Sequence, residues 1–284
     1  MKFVTAAQTW AVVALLTSRS GRSLADEPRR STLKADPGTV VRWSAPGTKL
    51  CMMGERSWPP LQETCYYPID LLQKPGEIKI ARRTANDRIE TELVSVGPNN
   101  RPTQRVGLGD IPQANPSAED LQRNAREQLL VGEIWKRKES AAQFRLPLGP
   151  PLAHGPEGRT FGWKRIFNGK EASQPHMGAD YPAATGTPVL AVADGTVALA
   201  DDLFFAGKAV FIDHGDGLVT MSFHLSDIKV TAGQQVARGD TIGLVGSTGR
   251  SSGPHLYFGV RWHDARIDPK FLLQDPEQIP RVSP

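Results

Sequence analysis

The six histidines, His154, His176, His214, His224, His255 and His263, all fall in the second half of the 284-residue chain. Three of their settings could do chemistry together. His176-Met-Gly-Ala-Asp180 is an H-x-x-x-D. One imidazole nitrogen and one carboxylate oxygen at that spacing, on a turn into a strand, can reach a common metal at about 2.0–2.2 Å. The second setting is Gly253-Pro-His-Leu-Tyr-Phe-Gly259. Pro254 biases Gly253 toward extended geometry and opens a strand. Residues i and i+2 of a strand share a face, so His255 and Tyr257 point the same way, about 6–7 Å apart, with Leu256 and Phe258 on the other side. In the third setting His224 ends an apolar alternating run, where a side chain can be aimed at a cleft. His214 sits in the turn Asp213-His-Gly-Asp-Gly217, His154 in a Pro/Gly loop and His263 just after the last strand; structural roles are expected for all three.

These residues need strands to position them. From Phe161 onward, turn residues recur every several positions. Between them lie short runs at 189–193, 196–200, 209–213, 218–223, 241–245 and 256–262, an all-β cadence of the sandwich or barrel kind. Upstream, strand-like runs at 39–43, 77–81 and 88–96 predict a small β-rich domain over 26–96. Residues 97–116 are rich in Gly, Pro and Asn and read as a linker. Ser117-x-x-Asp120 then resembles a capping box, and Leu121, Leu129, Leu130, Ile134 and Trp135 continue near helical spacing. The chain is thus expected to be mainly β: a β-rich domain at 26–96, a linker and helix at 97–146, and a second β domain at 147–284.

Composition excludes several classes. Hydrophobic residues make up 39% and charged residues 23%, which is globular rather than disordered or coiled-coil. No apolar run reaches the roughly 18 residues of a membrane span. Met1–Lys2, the mostly apolar 3–16 and Ser23-Leu24-Ala25 have the layout of a secretory signal over 1–25, cleaved after Ala25. Without that segment 31 basic residues face 30 acidic ones. With no basic run interleaved with aromatics, a nucleic-acid role is unsupported. Cys51 and Cys65, the only two cysteines, read as one disulfide in an exported chain.

The stretch from Phe161 to Leu273 resembles the lysostaphin-type (LytM-like) zinc metallopeptidases that cut peptidoglycan cross-bridges. The resemblance runs through FGWKRIFNG, PHMGADYPAATGTPVLAVADGTV, VFIDHGDGLVTMSFHLS, VTAGQQVARGDTIGLVGSTGRSSGPHLYFGV and DPKFLL. The upstream region resembles the Gram-negative periplasmic branch. The resemblance implies an antiparallel LytM-like core with a duplicated hybrid motif and a periplasmic or secreted location. It also implies Zn2+ on His176 and Asp180, and catalytic roles for His224 and His255 in activating water. The family's third zinc ligand is the second His of an H-x-H, and here that position is Tyr257. Ionising a phenol with pKa near 10 at pH 7 costs about 4 kcal/mol before the metal repays any of it.

Two functions follow. One is a zinc endopeptidase acting on cell-wall stem or cross-bridge peptides, with His176, Asp180 and Tyr257 at the metal. The other is a degenerate module that binds peptidoglycan or activates a partner cell-wall hydrolase. The hairpin pattern 230–243 also resembles lipoyl and biotinyl carriers, but no lysine lies between Lys229 and Lys270 to carry a cofactor.

Overall fold

The computed structural model describes residues 33–44, 46–136 and 140–282. The signal segment expected at 1–25 and its cleavage point lie outside the described residues. Alternating Val, Ile and aromatic residues build the strands of the first part: β1 (Leu33–Ala35), β2 (Val40–Ser44), β3 (Thr48–Met53), β4 (Arg56–Trp58), β5 (Thr64–Pro68), β6 (Gly76–Thr84), β7 (Ile89–Val96) and β8 (Thr103–Val106). Five of them form one sheet in the order β1-β7-β6-β3-β4, and β2 pairs with β5. Cys51 on β3 and Cys65 on β5 are joined in a disulfide. Its surroundings are apolar: Val41, Tyr67, Ile69, Ile80 and Val94 lie in the same buried cluster.

Helix α1 (Ala118–Trp135) begins as the sequence predicts. The Ser117 hydroxyl accepts from the Asp120 N–H, and the Asp120 carboxylate accepts from the Ser117 N–H. That reciprocal cap satisfies two amides that the first helical turn leaves unpaired. Near its C-terminus, Ile134 is buried against Phe211 and Val219 of the following sheet.

The second part contains β9 (Lys164–Phe167), β10 (Lys170–Glu171), β11 (Gly178–Pro182), β12 (Pro188–Leu190), β13 (Gly195–Leu203), β14 (Gly207–Asp213), β15 (Leu218–Leu225), β16 (Asp227–Ile228), β17 (Gln235–Val236), β18 (Thr241–Leu244), β19 (His255–Trp262), β20 (Ala265–Ile267) and the one-turn helix α2 (Lys270–Leu273). Its main sheet is open and antiparallel, in the order β11-β19-β15-β14-β13-β17, with β20 on β19. A separate small sheet has the order β12-β18-β16, and β9 joins β8 in parallel and β10 in antiparallel pairing. Leu256, Phe258, Val260 and Trp262 form the buried face of β19, each no more than 1% exposed. They pack on Val197, Val210, Ile212, Leu225 and Ile242. Leu146 and Leu148 are buried in that same core, as are Val40 and Tyr66 from the first part of the chain. No helix of the described residues is long and apolar enough to cross a membrane.

Candidate metal and catalytic site

The site lies across three neighbouring strands. Asp180 on β11 is directly opposite Tyr257 on β19, which is directly opposite Phe223 on β15. These three side chains share one face of the sheet, because directly opposed residues do so. Period-two alternation adds His255 to that face and sends Leu256 and Phe258 into the core.

Strict alternation would point His224 away from this face, since its neighbour Phe223 is on it. The backbone resolves this with a bulge. The β14–β15 register shifts between Lys208 and Val210, opposite His224, and His224 itself takes φ 64°. Bulges re-aim a side chain in this way, at a local cost of about 1–3 kcal/mol for a non-glycine residue at positive φ. The His224 N–H donates to Ala206 O at 2.9 Å. His224 Nδ1 lies 2.8 Å from Thr248 O. Gly207 and Gly249 allow these two loops to meet. A Cβ on Gly207 would lie 2.3 Å from Thr248 Oγ1, and one on Gly249 would lie 2.3 Å from Gly207 N. Arg250 pins the second loop, its guanidinium 4.6 Å from the ring centres of both Phe167 and Phe205.

His176, Asp180, His224 and His255 converge. His176 Nε2 is 3.3 Å from Asp180 Oδ1, and His255 Nε2 is 3.5 Å from the same oxygen. The ring centres of His224 and His255 are 4.9 Å apart. Each imidazole meets a backbone carbonyl through Nδ1: His176 at Thr160 O (3.1 Å), His224 at Thr248 O (2.8 Å) and His255 at Gly253 O (2.8 Å). A carbonyl can only accept, so at His224 and His255 Nδ1 carries the proton and Nε2 keeps a lone pair; at His176 the donor-only Arg165 guanidinium also lies 3.1 Å from Nδ1, so both tautomers find a partner there. Burial holds His176 below its ordinary pKa, partly opposed by Asp180. Burial, and then the nearby His255, lowers His224 to about 4. Both rings are therefore neutral at pH 7.

Asp180 is the anion at the centre. Burial alone would raise its pKa, but His176, Arg165 and His255 more than offset this and hold the carboxyl well below the usual range. Its two oxygens have different partners. Oδ2 accepts from the Arg165 guanidinium and from Thr160 Oγ1 (3.2 Å). Oδ1 is buried and has no hydrogen-bond partner. A buried anionic oxygen facing the Nε2 atoms of two imidazoles is a place that attracts a cation. The 3.3 Å between His176 Nε2 and Asp180 Oδ1 is also close to the separation of two ligands about 2.0–2.1 Å from a tetrahedral centre. The donor chemistry thus fits a divalent metal ion, with His176 and Asp180 as two donors. Among the described residues, no three His, Cys, Asp or Glu side chains are grouped as a complete metal cage.

Tyr257 lies beside this pair. Its ring is stacked on Phe223, 4.7 Å between centres and 4° between planes, and it meets the His176 ring edge-on at 5.2 Å. Burial, and then Asp180, raises its pKa above the usual phenol value, so the hydroxyl is neutral at pH 7. Among the described residues it makes no hydrogen bond to Asp180 or His176. Sequence reasoning missed Arg165 and Thr160, because nothing in KRIFNG marks a lysine or arginine as the partner of a carboxylate fifteen positions on. The remaining histidines are elsewhere. His214 is fully buried between Asp194 O (2.7 Å) and Thr220 Oγ1 (2.8 Å). His263 is stacked on Trp58 at 4.2 Å, and His154 is exposed.

Residues 174–269 match the family model described as Peptidase family M23. Over 84 residues the chain is 46% identical to the peptidoglycan DD-endopeptidase ShyA of Vibrio cholerae, covering 30% of this chain and 20% of that protein. Over 103 residues it is 44% identical to the DD-carboxypeptidase/endopeptidase Mpg of Neisseria meningitidis, covering 36% of this chain and 24% of that protein. The chain thus spans only about a quarter or less of these curated relatives. A solved Pseudomonas aeruginosa structure assigned to peptidase M23 aligns far more broadly: TM-score 0.64, 33% identity, 84% of this chain and 94% of that one. On the strength of that near full-length likeness, the chain belongs to peptidase family M23.

Proposed function

We propose that this chain is a peptidoglycan-directed zinc metalloendopeptidase acting outside the cytoplasm on peptide bonds of cell-wall stem or cross-bridge peptides. The observation that carries this reading is the convergence of His176, Asp180, His224 and His255 around one unpartnered carboxylate oxygen. The curated relatives named as peptidoglycan endopeptidases support the substrate class. The Cys51–Cys65 disulfide supports an oxidising compartment.

His176 and Asp180 would hold the zinc. When bound, zinc lowers the pKa of a coordinated water toward 7 and polarises a peptide carbonyl. The protein's own contribution is positional. Arg165 and Thr160 occupy Asp180 Oδ2, so Oδ1 is the oxygen presented to the site. The Thr248 carbonyl holds the His224 proton on Nδ1, leaving Nε2 able to take a proton from an attacking water. His224 can then return that proton to the departing amine. His176 and His224 are 8% and 7% exposed, which limits competing water.

The test is digestion of purified peptidoglycan by zinc-loaded protein, with released fragments identified by mass spectrometry. Peptide-bond cleavage that is lost in His224→Ala supports the proposal, and intact peptidoglycan would refute it. Tyr257 favours a second reading, a non-catalytic module that binds the wall or activates a partner hydrolase, because a buried phenol that stays protonated at pH 7 stands where a neutral imidazole would offer a free lone pair. That reading predicts retention on peptidoglycan with no fragments released.

A further inference from the structure

Resting on the peptidoglycan-directed reading, we infer that Arg250 recognises a carboxylate of the peptide substrate and so sets the site's preference for acidic peptides. Three observations carry this. The first is place. Arg250 sits in the loop that braces both candidate catalytic imidazoles. Two residues before it, Thr248 O lies 2.8 Å from His224 Nδ1; next to it, Ser251 Oγ lies 3.3 Å from His255 Nδ1. Its guanidinium rests on Phe167 of β9, which shares a side of that strand with Arg165, the partner of Asp180. Its other ring contact, Phe205, adjoins Ala206, whose carbonyl accepts from the His224 N–H. The guanidinium therefore stands at the rim of the site.

The second observation is charge. Arg250 is half-buried, and an arginine stays protonated at neutral pH. Among the described residues no carboxylate pairs with it; the charged group that acts on it is another cation, Arg165. Arg165 is itself committed to Asp180. A desolvated cation without a counter-ion is held at a cost that a bound anion relieves. The third observation is the state of its donors. The Arg250 backbone N–H donates to Phe205 O at 2.8 Å, whereas its side-chain N–H groups have no acceptor among the described residues. Arg165 Nε is sealed from solvent without a partner, but no Arg250 nitrogen is, so these donors are open to a ligand. The two rings, each 4.6 Å from the guanidinium, hold it in place by cation–π contact, which uses no N–H donor. Bracing a loop in that way needs neither open donors nor an unbalanced charge. A planar fork fixed beside the reaction centre suits a carboxylate bound through two parallel hydrogen bonds.

The experiment measures binding of a fluorophore-labelled synthetic stem pentapeptide by fluorescence polarisation, as the free acid and with every carboxylate amidated. The host is the zinc-loaded full chain carrying His224→Ala, which prevents turnover. Arg250 is left in place or changed to Gln or Lys, and each variant's melting temperature serves as the folding check. The host should bind the acid at least about tenfold tighter than the amidated peptide. That preference should survive stripping of zinc by chelator. Arg250→Gln should weaken the acid about tenfold and leave the amidated peptide within about threefold, and Arg250→Lys should keep part of the preference. A preference that disappears with zinc, or persists in a folded Arg250→Gln, would belong to another cation and overturn the inference. Equal weakening of both peptides would reduce Arg250 to a loop brace and overturn it too. So would a host that binds the two forms alike, or binds neither. Intact peptidoglycan in the digestion assay, with the Arg250-dependent preference present, would overturn the peptidase reading alone.

Discussion

Replacing Arg165 by Met removes the one guanidinium that neutralises Asp180. The pair is nearly buried, with side chains 13% and 18% exposed, and Arg165 NH2 also lies 3.1 Å from Thr160 Oγ1 and from His176 Nδ1. Removing one partner of a buried pair costs about 3–5 kcal/mol, because the other charge is left desolvated and unpaired. We take the lower end, about 3 kcal/mol, because Thr160 still donates to Asp180 Oδ2. For a protein of this size, roughly 2–4 °C per kcal/mol makes that a fall of about 6–12 °C in Tm. The assay is urea unfolding in the presence of chelator, followed by tryptophan fluorescence. Two further arms isolate the cause. Asp180→Asn in the Arg165→Met background should recover most of the loss, since no charge then remains to be compensated. Saturating zinc should recover part of it in Arg165→Met alone. A loss below about 1 kcal/mol in Arg165→Met would refute the argument that this guanidinium balances a buried anion.

Reducing the Cys51–Cys65 bond should destabilise the protein by about 3 kcal/mol in the chain-entropy view, for a sequence separation of 14; unfolding with and without reductant measures it, and equal midpoints would contradict it. Acid should destabilise the fold through His214, which burial lowers from 6.5 to about 4. Because the folded pKa is the lower one, the neutral ring stabilises the fold fully above about pH 6.5. That stabilisation, about 3 kcal/mol, is lost as pH falls from 6.5 to 4. A stability–pH profile of His214→Asn should be flatter over that window, and a profile as steep as wild type would assign the acid sensitivity to other groups.

How much of this was legible in the sequence differs from residue to residue. The alternation His255, Leu256, Tyr257, Phe258 reads correctly because a strand has period two, and Leu256 and Phe258 are indeed 0% and 1% exposed. The Ser117 cap and the runs that became β2, β6 and β7 are likewise local signals, carried by a few adjacent residues. The orientation of His224 was not legible by alternation: a bulge and a residue at φ 64° turn it onto the face of its own neighbour. Arg165 was silent because its ion pair depends on Gly162 and Trp163 being hydrogen-bonded to the His176 backbone, which no local pattern encodes. The pose of Tyr257 was hidden for a related reason. It depends on Phe223 two strands' width from Asp180, and on glycines 178 and 259 being paired beneath the ring. Residue type and spacing located the site; cross-strand packing decides what each member of it can do.

The central claim is that this carboxylate and its histidines form a metal centre. Zinc content per chain, measured by elemental mass spectrometry after metal loading and desalting, tests it most directly on wild type beside Asp180→Ala. The account predicts one zinc in wild type and none in Asp180→Ala. Equal zinc content in the two proteins, whether one or none, would contradict it.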